Sequence, residues 1–200
     1  MALARLNLEP TVSILEIIGF IASLLGIWLA TRSHVLTWPL QLIASLLYVW
    51  LFFDAKLFGE SLLQFVYAAL AIYGWWMWKR SATDHSLPIS RLGRRQWLLI
   101  NGAGLLLTLL VTRFQVQFLP TDLPLLDSGI FVFGLIAQWM QARKKIENWP
   151  YWIALDLIAS GVYAYKGLHL TAVLYVILTA LAISGWISWR KEIKNETSCV

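Results

Sequence analysis

Only one cysteine, Cys199, occurs in the 200 residues, at the far C-terminus, so no internal disulfide and no thiolate metal site can form, and redox chemistry is not expected. The three histidines, His34, His85 and His169, fall in or beside loops and share no ligand spacing, which leaves no metal centre to propose. No Walker motif, Gly-x-Ser-x-Gly elbow or His-Glu-x-x-His pair is present. Those absences argue against a primary pump and the common hydrolases, and no cofactor is expected. Charge is scarce at 14%, against 59% apolar residues and a mean hydropathy of +0.67. A soluble core of this length cannot enclose that much apolar surface, so the solvent must be lipid.

What is present is a series of apolar runs of about twenty residues, the length that crosses roughly 30 Å of hydrocarbon as helix. They predict seven transmembrane helices at about 11–31, 35–53, 57–78, 97–117, 122–142, 149–166 and 168–189. Continuous runs without period-two alternation favour helices over barrel strands. The first run, preceded by Arg5 and Glu9, is long for a signal peptide and reads as a retained helix. The basic pI near 9.5 does not imply a nucleic-acid partner, because the Lys and Arg residues lie in short loops beside apolar runs. Twelve of them, from Arg32 through Lys79, Arg80, Arg91 and Arg143 to Lys194, belong to one side. Four, Arg5, Lys56, Arg113 and Lys166, belong to the other, which places the N-terminus outside and the C-terminus in the cytoplasm of an inner membrane. The hydrophilic stretch 79–96 reads as a linker rather than a domain.

A displacement of 111 residues aligns Glu16 with Asp127, Phe20 with Phe131, Trp28 with Trp139, Arg32 with Arg143, and Trp38-Pro39 with Trp149-Pro150. It also superimposes Leu70-Ala71-Ile72-x-Gly74-Trp75-x-x-Trp78 on Leu181-Ala182-Ile183-x-Gly185-Trp186-x-x-Trp189. In the second helix a displacement of 115 gives a match of its own, Leu42–Ser45 with Leu157–Ser160 and Tyr48 with Tyr163, and suggests a small local indel. The expected architecture is therefore two parallel three-helix bundles, 11–78 and 122–189, joined by the segment 79–121 with linker helix four, and followed by a tail, 190–200. Two such bundles about an axis normal to the membrane would enclose a central cleft, as in a carrier.

Polar groups inside a span are functional candidates because each costs a few kcal/mol unless it faces a partner or a cavity. On the sixth helix Trp149, Trp152, Asp156, Ser160 and Tyr163 share one face. A carboxylate flanked by indoles suits a flat cationic or hydroxylated ligand; the alternative is an interfacial belt with Asp156 paired to another helix. Gln64 and Tyr175 align in the repeat and either contact a substrate from opposite bundles or bond helix to helix. Gln138 on the fifth helix and Asn101 on the fourth are further candidate lining residues. Glu16 and Asp127, at matched positions, read as gate or ion-coupling groups or as structural ones, and Trp78 and Trp189, beside Lys79 and Arg190, as belt anchors. Asp156 and Asp127 as the acid pair of an intramembrane enzyme, and a sensor or binding subunit needing a partner, are alternatives of other classes.

Three motifs carry a family resemblance across nearly the whole chain. They are Ala71-Ile72-Tyr73-Gly74-Trp75-Trp76-Met77-Trp78, Lys145-Ile146-Glu147-Asn148-Trp149-Pro150-Tyr151-Trp152-Ile153-Ala154-Leu155-Asp156, and Tyr163-x-x-Lys166-Gly167-Leu168 followed by Leu174-Tyr175. The chain resembles the PnuC family of vitamin transporters, full-length relatives of the SWEET sugar carriers. The resemblance implies import of nicotinamide riboside by facilitated diffusion, with thiamine or riboflavin as alternatives, trapping by a cytoplasmic kinase, and a homotrimer. It makes Trp149 and Trp152 the Trp-x-x-Trp pair, Asp156 the acidic position and Gln64 the helix-three glutamine of the substrate site. A pyridinium ring fits between indoles, and ribose hydroxyls suit Asp, Gln and Tyr.

Overall fold

The structure, a computed structural model, describes residues 14–54, 56, 58–83, 87–118, 123–165, 167 and 169–198. His85, Lys166 and Cys199 lie outside the described residues, as does the side chain of Glu16. The described residues form seven helices: α1 (Ile14–Thr31), α2 (Thr37–Asp54), α3 (Phe58–Thr83), α4 (Arg94–Phe118), α5 (Pro124–Ala142), α6 (Asn148–Tyr165) and α7 (His169–Ser198). Four of them, α2, α4, α5 and the Thr171–Asn195 stretch of α7, are long and apolar enough to cross a membrane on length and composition alone. The Trp-Pro pairs sit where proline is tolerated, with Pro39 and Pro150 in the first turns of α2 and α6. Helices α3 and α7 run past 78 and 189 because neither Gly nor Pro interrupts the stretches that follow. The extension of α7 is tied down: Ile193 packs on the core, and Ser33 Oγ donates to Glu192 Oε2 at 3.3 Å.

The repeat holds one register throughout. Thr37 and Asn148 open α2 and α6, Phe58 and His169 open α3 and α7, and Thr31 and Ala142 close α1 and α5, all displaced by 111. The indel suggested for the second helix is therefore not there. A slip of four residues turns a helix by only about 40°, so a small-and-apolar pattern such as Leu-Ile-Ala-Ser matches itself one turn away on nearly the same face.

The turns repeat as well as the helices. Ser33 (φ 54°) and Lys144 (φ 48°) are equivalent positions, as are Lys56 (φ 60°) and Gly167 (φ 76°), and all four occupy the left-handed region. Only at 167 has the sequence installed the residue without a steric penalty there. Gly167→Ala is expected to lower stability by about 1 kcal/mol and Lys56→Gly to raise it by a similar or smaller amount. Thermal unfolding of the two variants in detergent checks the opposite signs.

Packing closes six of the helices into a ring in the order α1, α2, α3, α5, α6, α7 and back to α1. Each unit supplies a run of three, and α3 meets α5 just as α7 meets α1, the pattern of a pseudo-two-fold axis down the ring. Helix α4 stands outside, packed along α5, and restores the direction of the second unit. It docks through small residues: Gly104 lies so close to Phe133 and Ile136 that a Cβ would press on both, and Thr108 is buried beside it. The remainder of α4 presents Leu98, Leu99, Leu105, Leu106, Leu109 and Leu110 outward. Such a wide apolar exterior over so little buried surface suits lipid and not water.

Candidate functional site

The end of the ring that carries the basic turns is filled by four indoles. Trp38 meets Trp78 edge to face at 5.3 Å, Trp149 meets Trp189 likewise at 5.4 Å, and Trp78 and Trp189 face each other across the ring at 6.3 Å. The quartet is two-fold in the repeat, since Trp38 corresponds to Trp149 and Trp78 to Trp189. Its hydrogen bonds cross between units, one from each half: Trp78 Nε1 donates to the Ala142 carbonyl at 3.1 Å, and Trp189 Nε1 to that of Ala30 at 3.0 Å, one residue before the repeat equivalent of Ala142.

Helices must come very close for this to fit. The Trp38 ring lies directly on Gly74 of α3 and the Trp149 ring on Gly185 of α7, where any Cβ would overlap the indole. That contact is the physical reason for Gly-Trp-x-x-Trp in both units. Gly185→Ala is expected to cost about 1–3 kcal/mol through overpacking, and Trp149→Phe, which shortens the overlapping ring, to restore part of the loss. Unfolding midpoints of the single and double variants test the pairing.

Trp78 and Trp189 are thus not belt anchors. They are 4% and 0% exposed, because a fully wound helix carries them inward with Ala71 and Ala182. The belt is made by the outward indoles one helix face away, Trp28, Trp76 and Trp186, at 43%, 53% and 39% exposure. Each lies under an arginine one turn on: Arg32 over Trp28 at 4.8 Å, Arg80 over Trp76 at 5.4 Å and Arg190 over Trp186 at 6.0 Å.

Beneath the indoles the ring interior becomes polar. Gln138 Nε2 of α5 donates to Gln41 Oε1 of α2 at 2.6 Å, a bond across the interior, since α2 and α5 are not neighbours in the ring. Gln41 Nε2 donates in turn to Thr37 Oγ1 at 3.0 Å, and Thr37 Oγ1 to the Gly26 carbonyl at 2.8 Å. Gln41 and Thr37 were not singled out by the sequence reading. The signal that finds them is the repeat itself, in which Gln41 occupies the position of Trp152 and Thr37 that of Asn148.

Among the expected site residues, Trp152, Asp156 and Tyr175 come together. Trp152 packs half-buried against the indole cluster. Asp156 lies one turn further in, buried at 7% exposure, and among the described residues no hydrogen bond or ion pair engages its carboxylate. Tyr175 stands within electrostatic reach of Asp156 and of Tyr67 on α3, and its ring stacks on Tyr163 at 5.3 Å. The Tyr67 hydroxyl in turn rests on Gly134 of α5. Gln64 is half-buried on the α3 face that also holds the buried Ala68 and Ala71. Two residues stand apart. Trp149 belongs to the seal, 1% exposed. Asn101 lies on α4 outside the ring, where its Nδ2 donates to the Trp97 carbonyl at 2.8 Å and its Oδ1 accepts from the Tyr151 hydroxyl at 2.9 Å. Asp127 lies in the first turn of α5, at the positive end of the helix dipole.

The arrangement combines a lone buried carboxylate, phenols and amides from both units, and an aromatic floor, which can hold a flat, polar or cationic molecule. Known proteins resemble this chain in sequence and fold. Residues 13–191 match the family described as nicotinamide mononucleotide transporters. The nicotinamide riboside transporter PnuC of Escherichia coli is 28% identical over 89% of this chain and 87% of its own. The riboflavin/roseoflavin transporter RibM of Streptomyces davaonensis is also 28% identical, over 87% of this chain and 83% of its own. The crystal structure of the vitamin B3 transporter PnuC superimposes with a TM-score of 0.74 at 24% identity, covering 94% of this chain and 84% of that one. The duplicated ring, the extent of the family match and the shared fold together make this chain a member of the PnuC family of membrane transporters.

Proposed function

We propose that the chain carries nicotinamide riboside across the bacterial inner membrane by facilitated diffusion, with phosphorylation by a cytoplasmic kinase trapping the product. The observation that carries this reading is Asp156, a buried carboxylate without an internal partner, facing Tyr175 in the ring interior between the indole seal and the tyrosine stack. Leaving such a group uncompensated is costly, and a ligand with hydroxyls and a delocalised positive ring compensates it. In this reading Trp152 stacks on the nicotinamide ring, Asp156, Gln64 and Tyr175 hydrogen-bond the ribose, and Gln138 with Gln41 forms the layer over which the substrate passes to the indole seal. Trp149 supports Trp152 from within the seal.

The basic end of the ring is the cytoplasmic one, by the excess of Lys and Arg in its turns. The quartet of indoles is then an inner gate, and rocking of one three-helix unit against the other opens it. Three copies of the chain form the working unit, as the family resemblance implies. Uptake into proteoliposomes tests the function: labelled nicotinamide riboside equilibrates under counterflow without ATP or an ion gradient. Transport of thiamine or riboflavin alone would assign the chain to the second reading, which the equal identity to a riboflavin transporter supports.

A further inference from the structure

Outside the ring, a cavity of about 230 Å³ opens at the basic end between α6, α7 and the linker, lined by Arg91, Ile146, Glu147, Pro150, Trp186 and Arg190. Its roof is built with some care. The Ser90 N–H donates to the Lys144 carbonyl and the Ile146 N–H to the Ser90 carbonyl, both at 3.0 Å, and Lys145 Nζ donates to Ser90 Oγ at 2.9 Å. Ile89 is sunk into the core beside these bonds. The next residue, Arg91, is thereby held over the cavity while remaining exposed. Glu147 Oε1 accepts from the Leu92 N–H at 3.1 Å, but Glu147 Oε2 is buried with no hydrogen-bond partner.

Two guanidiniums and one carboxylate thus line a single small cavity, yet among the described residues none forms an ion pair with another. We propose that this cavity seats the phosphoethanolamine headgroup of a membrane lipid, its phosphate between Arg91 and Arg190 and its primary ammonium on Glu147. Guanidinium forks match phosphate oxygens, and basic recesses between helix ends are where lipid headgroups collect. The orphan Glu147 oxygen selects within that class: a buried acceptor needs an N–H donor, which a primary ammonium offers, while a trimethylammonium and a glycerol headgroup offer none with a charge. Trp186 and Ile187, exposed on the adjoining face, place the acyl chains beside the apolar exterior. The seat is single in each chain. The corresponding positions of the first unit keep Pro39, Trp75 and Lys79 but replace Glu147 by Leu36, and the linker has no second copy to supply an Arg91.

Native mass spectrometry of the full chain, with phosphatidylethanolamine, phosphatidylglycerol or phosphatidylcholine added, tests this. One phosphatidylethanolamine is expected to stay bound per chain, in preference to the other two. Arg91→Ala, at an exposed position, is expected to weaken retention about tenfold, and Arg91→Ala with Arg190→Ala to abolish it. Glu147→Gln keeps the acceptor for Leu92 and is expected to erase the preference over phosphatidylcholine. Equal retention of phosphatidylglycerol, or unchanged retention in the double variant, would overturn the proposal. Free phosphoethanolamine displacing the lipid mole for mole would overturn the assignment to a lipid.

Discussion

Asp156→Asn is expected to weaken nicotinamide riboside binding about thirtyfold or more, measured by calorimetry on the purified protein, while the unfolding midpoint stays the same or rises. The direction follows from the burial of Asp156 without an internal partner. Hydrogen bonds to a charged acceptor contribute about 1.5–3 kcal/mol, or about one to two decades of affinity, when the ligand supplies the donors. The folded protein without ligand gains nothing from the charge, so its removal relieves a desolvation cost. A structural carboxylate would behave oppositely, its loss lowering stability and leaving affinity alone. The two readings left open for Asp156 by the sequence therefore separate on the sign of one stability measurement.

Trp189→Ala is expected to destabilise the protein by about 3–5 kcal/mol, the cost of emptying a fully buried aromatic position. Trp189 is 0% exposed, donates to the Ala30 carbonyl across the unit boundary, and touches both Trp149 and Trp78. Trp186→Ala, three residues earlier on the outward face, is expected to cost far less, within about 1 kcal/mol, since it loses an exposed cation–π contact and interfacial area. Parallel denaturation of the two variants in detergent resolves the difference. Equal losses would return Trp189 to the membrane belt.

Much of the fold could be read from the residues because lipid imposes few solutions: apolar runs of spanning length can only be helices, and a long repeat at one displacement can only be two like units. The family likeness rested on motifs whose physical origin is now visible, since Gly74 and Gly185 are where the Trp38 and Trp149 rings press onto the next helix. What the sequence did not disclose was the direction in which each indole points. Trp75, Trp76 and Trp78 differ by one to three positions, and a basic neighbour accompanies all of them, yet only Trp78 turns inward. A rule that places Trp beside Lys or Arg at the interface cannot choose among them without the helix phase. Gln41 was missed for a related reason: a lone glutamine in α2 gains meaning only when α5 is seen to bring Gln138 within 2.6 Å across the interior. Asn101 looked like a lining residue because α4 was not known to stand outside the ring.

The polarity of the interior also explains why two unequal halves remain parallel in backbone. Ser61 Oγ of α3 donates to the Val49 carbonyl of α2, and in the second unit Ser160 Oγ of α6 donates to the Ala172 carbonyl of α7, both at 3.0 Å. The same helix pair is joined at the same height, with donor and acceptor exchanged. Such bonds contribute modestly in a bilayer, about 1 kcal/mol each. They leave the inward positions free to diverge, and there Ser45 faces Asp156, Gln64 faces Tyr175 and Gln41 faces Trp152 in the repeat. Divergence at these inward positions lets a duplicated frame enclose an asymmetric interior.

A structure of the protein with nicotinamide riboside bound bears most directly on these conclusions. The ligand is expected inside the six-helix ring, below the Trp38, Trp78, Trp149 and Trp189 quartet, its ring on Trp152 and its ribose on Asp156. Ligand density on the outer face of the helices, or a bound state in which Asp156 and Tyr175 contact only protein, would contradict them.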